Sequence, residues 1–116
     1  MYVEIIAWDI RKFDVTFAEL RRWVDQTAAA QYSTLAGVRL KMWFSDERKG
    51  IWGAVYLVDS IEATGPDKIP RLPDGRTGPI GEPPTSVAWF DLEEFVVGVE
   101  GLDFPGEAGL THERRG

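Results

Sequence analysis

The chain of 116 residues contains no cysteine and a single histidine, His112. The absence of cysteine excludes disulfides, thiolate catalysis and metal centres bound by cysteine. A histidine-bound haem or a Ser-His-Asp triad would have to use His112, which lies in the polar C-terminal stretch. Carboxylates remain as metal ligands, but the acids between residues 46 and 62 lack the spacing of an EF-hand loop. We therefore expect neither a metal nor a haem.

Nucleotide motifs, a basic patch and long apolar runs are also missing. The chain has no P-loop, and Gly75, Gly78 and Gly81 stand among prolines with no strand before them. A net charge of −6 argues against nucleic acid as a partner. No apolar run approaches the ~20 residues of a membrane helix, and Glu4 and Asp9 interrupt the opening apolar stretch. These absences predict a cytoplasmic protein with no nucleotide cofactor and no nucleic-acid or membrane partner.

Tryptophan, by contrast, is abundant, with five residues in a chain that is 12% aromatic and 44% hydrophobic. The length and composition are those of one globular domain with a real core. The tryptophans either fill that core or line an aromatic pocket, since an indole offers a flat apolar body with one N–H donor. Composition alone leaves both interpretations open.

The N-terminal third predicts a strand followed by a helix. Residues 2–10 are rich in β-forming side chains. Asp14 or Thr16 is placed to cap a helix that runs to about Leu35, and Glu19 has capping-box spacing from Thr16. Side chains at helical spacing predict one buried stripe: Phe17, Leu20, Val24, Thr27, Ala28, Gln31 and Leu35.

Residues 38–58 predict a β-hairpin of two alternating strands around a charged turn at residues 45–50. Alternation divides the first strand into two sets, Val38, Leu40, Met42 and Phe44 on one face, and Arg39, Lys41 and Trp43 on the other. Neither face is simply polar, so we expect both to be covered, one of them by a packed core or a cavity.

After the predicted core of residues 1–64, residues 65–86 form an insertion too rich in proline and glycine for regular structure. A loop of this length is either a lid or a passive insertion. The last core region, residues 87–101, predicts a short helical turn over residues 87–90, capped by Ser86, and a fourth strand over residues 94–99. Residues 102–116 predict a C-terminal arm or tail.

This order of elements predicts a single α+β domain with the ferredoxin-like split β-α-β fold, a four-stranded antiparallel sheet with a helix on one face. The other face of the sheet carries apolar residues and needs a cover. A second sheet packed face to face is the natural cover, so we expect a homodimer that forms a dimeric α+β barrel.

Two segments of the chain form distinctive motifs. The first is Lys41-x-Trp43, the charged turn and residues 53–58 (Gly-Ala-Val-Tyr-Leu-Val); the second is residues 92–97 (Leu-Glu-Glu-Phe-Val-Val). In this order they resemble the YdhR-like monooxygenase family of the dimeric α+β barrel superfamily. The chain departs from that family in carrying the insertion where relatives have a regular second helix. The resemblance implies the fold and the dimer. It does not imply one reaction, because the superfamily includes cofactor-independent monooxygenases, polyketide cyclases, isomerases and haem-degrading enzymes.

The candidate catalytic residues are Lys41, Tyr56 and Asp9. The candidate substrate-binding residues are Trp8, Trp23, Arg39, Trp43 and Trp52. A cation beside indole and phenol rings suits a flat, electron-rich phenol or enol, because the cation stabilises the enolate and the rings stack on it. Such a substrate donates an electron to oxygen directly, so we expect no cofactor.

Each of these assignments has a structural alternative. Lys41 alternatively snorkels along the sheet edge, and Trp43 and Trp52 alternatively anchor the core or a dimer interface. Tyr56 alternatively only packs, and Asp9 is alternatively an exposed acid at a strand end.

The function of the protein has alternatives too. We expect a cofactor-independent monooxygenase on an aromatic or polyketide-like small molecule; the others are a non-catalytic ligand-binding or stress-associated protein, and a polyketide cyclase or isomerase.

Overall fold

The computed structural model describes residues 1–65, 68 and 80–102. Most of the predicted insertion and nearly all of the predicted tail, including His112, lie outside the described residues. Four strands form one antiparallel sheet in the order β2-β3-β1-β4. Their bounds are β1 (Tyr2–Asp9), β2 (Val38–Asp46), β3 (Ile51–Val58) and β4 (Ser86–Asp91). With the helix against one face, this is the predicted α+β architecture, compatible with a ferredoxin-like fold.

The helix between β1 and β2 consists of three segments in direct succession, α1 (Phe17–Trp23), a π-helical turn (Val24–Ala28) and α2 (Ala29–Tyr32). The Thr16 hydroxyl accepts a hydrogen bond from the Glu19 backbone N–H at 3.1 Å, as the capping-box spacing predicts. Short 3₁₀ turns occupy Ile10–Lys12 and Ile61–Thr64. Within the described residues, no helix is long and apolar enough to cross a bilayer.

The π-helical turn corrects the predicted buried stripe. Thr27 and Gln31 are exposed, whereas Ala28, Ala29 and Tyr32 are buried. A π turn adds a residue to one helical turn, so it rotates the face that follows away from the simple 3.6-residue period. The helix also ends at Tyr32 rather than near Leu35. The hydroxyls of Ser33 and Thr34, which follow Tyr32, donate to backbone carbonyls of the last helical turn and compete with helix hydrogen bonds.

The hairpin forms where it is predicted, with Lys41 opposite Tyr56 and Trp43 opposite Ala54. Strand β2 continues through Asp46, so the turn is shorter than the sequence indicates. A bulge between Val38 and Leu40 interrupts the alternation. The bulge corrects the predicted faces of this strand. Val38 packs against the core on the helix side and does not share a face with Met42 and Phe44.

The fourth strand lies earlier than predicted. Residues 86–91 form β4, paired with β1 through Val87 opposite Ile6 and Trp89 opposite Glu4, so the predicted helical turn is wrong. Residues 92–98 have no regular structure, so the predicted strand at residues 94–99 is wrong as well. Strands β3 and β4 occupy both edges of β1, so residues 94–99 cannot pair with β1.

The sheet face opposite the helix is apolar and open. Ile5, Met42, Phe44 and Phe90 are 37%, 51%, 38% and 54% exposed. The Phe44 ring lies over Gly53, where an added Cβ would stand 2.5 Å from the ring and 2.4 Å from the Ile6 carbonyl oxygen. Glycine is required at that position by the close approach of its neighbours.

Candidate functional site

A cavity of about 360 Å³ lies on the helix side of the sheet. Its aromatic walls come from Trp8 on β1, Trp52 and Tyr56 on β3, Trp43 on β2, and Trp23 and Tyr32 on the helix. Alternation in the three neighbouring strands places these side chains on one face, and the helix brings the last two over them. The polar groups in the wall are contributed by Glu4, Lys41 and Thr64.

The Lys41 amine is enclosed by three aromatic rings. Its Nζ lies 3.3 Å from the centroid of the Tyr32 ring, 4.5 Å from that of Trp43 and 4.4 Å from that of Tyr56. Nζ also donates a hydrogen bond of 2.7 Å to the Tyr56 hydroxyl. The ring faces carry partial negative charge, so they stabilise the amine in its protonated form and act against the effect of its desolvation.

Lys41 makes no direct ion pair with the described part of the chain. Among the described residues, no carboxylate lies within 4.0 Å of Nζ. Desolvation lowers the pKa of Lys41 well below its ordinary value, and the more distant Glu4 carboxylate partly opposes this effect. Lys41 therefore releases its proton more readily than a surface lysine does.

Glu4 is the second titratable group of the cavity, and sequence reasoning missed it. It is 8% exposed, and the Thr64 hydroxyl donates to its Oε1 at 2.9 Å. Burial raises the pKa of Glu4, while the bond from Thr64 and the charge of Lys41 act in the opposite direction. The signal was present in the sequence: strand alternation places Glu4 on the same face as Ile6 and Trp8.

Tyr32 is the other residue that was missed. The Tyr56 hydroxyl donates to the Tyr32 hydroxyl at 3.4 Å, so a short chain of hydrogen bonds runs from Lys41 through Tyr56 to the helix. Burial raises the pKa of Tyr32 and of Tyr56, and both remain hydroxyls. Tyr32 follows Leu20, Val24 and Ala28 in steps of four, a spacing that would have identified it.

Six of the eight predicted site residues line the cavity: Lys41, Tyr56, Trp8, Trp23, Trp43 and Trp52. Asp9 and Arg39 do not. Asp9 accepts hydrogen bonds of 2.9 and 3.0 Å from the Arg11 guanidinium, which lowers the pKa of Asp9. Arg39 lies at the bulge and donates to Asp59 at 2.7 Å on the surface. Both belong to exposed ion pairs, and we exclude them from the candidate site.

The described end of the insertion forms part of the cavity wall. The Trp8 indole N–H donates to the Glu82 carbonyl at 3.0 Å, and Pro83 and Pro84 stand beside it. Ile80 is buried in a second core cluster with Trp52 and Leu20. The insertion is therefore attached to the site at residues 80–84. The choice between a lid and a passive insertion falls on residues outside the described part of the chain.

Within the described ranges, no cluster of three or more histidine, cysteine or acidic side chains is arranged to hold a metal ion. The chemistry available at the cavity is thus that of an amine, a carboxyl group and hydroxyls among aromatic rings. Comparison of the chain with known protein families and with curated protein sequences finds no match.

Proposed function

We propose that the chain is a small enzyme that binds a planar phenol or enol in the aromatic cavity and oxygenates it with molecular oxygen, without a bound cofactor. The observation that carries the proposal is the position of the Lys41 Nζ. This amine is desolvated, has no carboxylate within 4.0 Å among the described residues, and is enclosed by three rings in a cavity wall. The proposal includes membership of the YdhR-like family, which rests on the resemblance of the hairpin.

The cavity suits a small flat ligand. Its volume of about 360 Å³ is near the lower end of the range of about 300–1,000 Å³ for small-molecule sites. Trp8, Trp43 and Trp52 offer flat faces for stacking. Glu4, Tyr56 and Lys41 lie side by side across the sheet and form one polar end of the cavity. The Glu82 carbonyl stands beside Trp8. A planar molecule with one acidic hydroxyl or an enolisable carbonyl matches this distribution of apolar and polar wall.

In the proposed reaction, Lys41 in its deprotonated form accepts the acidic proton of the substrate. The resulting ammonium stays beside the enolate oxygen, where the surrounding rings and the low polarity strengthen its effect. The enolate gives an electron to oxygen, and the two radicals combine to a peroxide at the reacting carbon. Loss of water leaves a carbonyl at that carbon, so a CH₂ group and O₂ become a C=O group and H₂O.

The test is oxygen consumption with anthrone as substrate, corrected for spontaneous oxidation. We expect enzyme-dependent uptake that falls roughly tenfold in Trp43→Ala, because cation–π and stacking contacts are each worth on the order of 1–2 kcal/mol. Trp89→Ala is the matched control, since Trp89 packs against the core but does not line the cavity. The control should keep its activity.

Absence of uptake by the folded wild type would overturn the oxygenase proposal. A fluorescence response of the tryptophans to anthrone without turnover would then indicate a binding protein. Cyclised or isomerised product formed without oxygen would instead indicate a cyclase or isomerase acting on a similar enolate.

The proposal also includes a homodimer. Its support is the open sheet face, together with an apolar stretch that has no cover in the monomer: Val96 and Val99 are 82% and 100% exposed. Packing two such faces together would bury apolar area, which stabilises the dimer by about 25 cal/mol for each Å² removed from water. We expect light scattering at micromolar concentration to give twice the chain mass of 13.0 kDa.

Met42→Asp should shift that mass toward the monomer, because it places a charge in the centre of the apolar face. Gln26→Asp, on the exposed side of the helix, should leave the mass unchanged. A monomeric wild type would show that the face has another use.

A further inference from the structure

A lysine amine that lines an aromatic cavity can act as a nucleophile as well as a base. We propose that Lys41 also forms a Schiff base with small planar aromatic aldehydes that enter the cavity. This activity uses the same site as the proposed oxygenation but does not depend on it, because neither oxygen nor an enolisable substrate is required.

The surroundings of Lys41 distinguish it from the other described lysines. Lys12, Lys49 and Lys68 are exposed to solvent. Lys41 is half-buried, its Nζ faces three rings, and no described carboxylate within 4.0 Å holds it as an ammonium. Desolvation in an apolar pocket is one of the ways in which a lysine becomes a nucleophile for carbonyl carbons.

The Tyr56 hydroxyl is placed to assist both stages of the reaction. It lies 2.7 Å from Nζ and is itself hydrogen-bonded to Tyr32. The amine nitrogen attacks the carbonyl carbon, and the oxygen takes a proton to give a carbinolamine. Its hydroxyl group then leaves as water, while the nitrogen loses its second proton and the C=N bond forms. One aldehyde and one amine become one imine and one water.

The size and shape of the cavity set the class of aldehyde. A one- or two-ring aromatic aldehyde stacks between the indoles with its carbonyl directed to the polar side of the cavity, where Lys41 and Tyr56 stand. Aliphatic aldehydes lack the flat face that the walls of Trp8, Trp43 and Trp52 complement. Selectivity for aromatic over aliphatic aldehydes is therefore part of the inference.

The experiment is reductive trapping of the full native chain with salicylaldehyde and cyanoborohydride at neutral pH. Limiting aldehyde is used, and the modified residues are located by peptide mass mapping. We expect Lys41 to be labelled at least about tenfold more than Lys12 or Lys49, as expected for a desolvated lysine. A planar naphthol should protect Lys41 and leave the surface lysines unaffected. Tyr56→Phe should slow the labelling of Lys41 without abolishing it.

Labelling of Lys41 no greater than that of Lys12 and Lys49 would overturn the inference, and so would labelling that appears only in urea. Equal labelling by acetaldehyde, or no protection by the naphthol, would show that the reaction does not occur in the cavity. The wild-type map alone decides these points, so the result does not depend on a variant that folds. Trapping without oxygen uptake would remove the oxygenase proposal and leave this one. Oxygen uptake without trapping would remove the Schiff-base proposal and leave the oxygenase proposal.

Discussion

Lys41→Met is expected to lower the rate of anthrone oxygenation by about 10²–10³-fold, the usual effect of removing one electrostatic group from a transition state. The same change should leave the folded state as stable as the wild type or more stable. Methionine has a similar length and fills the space between the rings. It also removes a desolvated amine that has no direct ion pair among the described residues. The measurements are kcat/KM by oxygen uptake and the midpoint of urea unfolding.

The pH dependence of stability provides an independent check on Lys41. Because burial lowers its pKa in the folded state, the unfolded chain keeps the lysine proton at pH values where the folded chain has lost it. The free energy of unfolding of the wild type therefore rises with pH between the folded-state pKa and the ordinary lysine pKa. In Lys41→Met this rise should be absent, so the advantage of the variant is largest at the acid end of that window.

Lys49→Met is the matched control, because Lys49 is exposed in the hairpin turn. It should leave the rate unchanged. Full activity in Lys41→Met would show that the amine takes no part in the reaction, whatever the stability measurements give.

The sequence predicted the centre of the site because strand alternation is a local property. A period of two residues places Lys41 and Trp43 on one face, and pairing across a short turn brings Tyr56 opposite Lys41. Trp52 on β3, Trp8 on β1 and Trp23 on the helix join them, each on the core face of its own element. The strand register that sets Tyr56 opposite Lys41 could not be fixed from the sequence, because it depends on where the turn begins.

The remaining errors arise where tertiary contacts override the local period. The bulge at Arg39 and the π-helical turn each add one residue, and neither has a clear local signal in the sequence. The sequence pattern places the fourth strand too late because residues 94–99 have the stronger β propensity, while residues 86–91 find the free edge of β1. Asp9 is a site candidate only from its position at a strand end, and Arg11 binds it instead.

Glu4→Gln is expected to extend the activity of the enzyme to lower pH. The Glu4 carboxylate raises the pKa of Lys41 through its charge, so removing that charge lowers the Lys41 pKa further. If the uncharged amine accepts the substrate proton, the acid limb of the pH profile of kcat/KM follows the Lys41 pKa and moves with it. We expect the rate on that limb to rise by up to about tenfold, which corresponds to about 1.4 kcal/mol.

Glutamine preserves the hydrogen bond from Thr64, because its amide oxygen accepts the hydroxyl as the carboxylate does. Glu62→Gln is the control, as Glu62 is exposed on the neighbouring 3₁₀ turn and should leave the profile unchanged. A loss of activity at every pH in Glu4→Gln would contradict the assignment of the base to Lys41 and transfer that role to Glu4. A movement of the profile to higher pH would contradict the charge coupling between the two groups. A movement of the profile to lower pH therefore indicates an amine base assisted by a carboxylate, whereas a loss of activity at every pH indicates a carboxylate base.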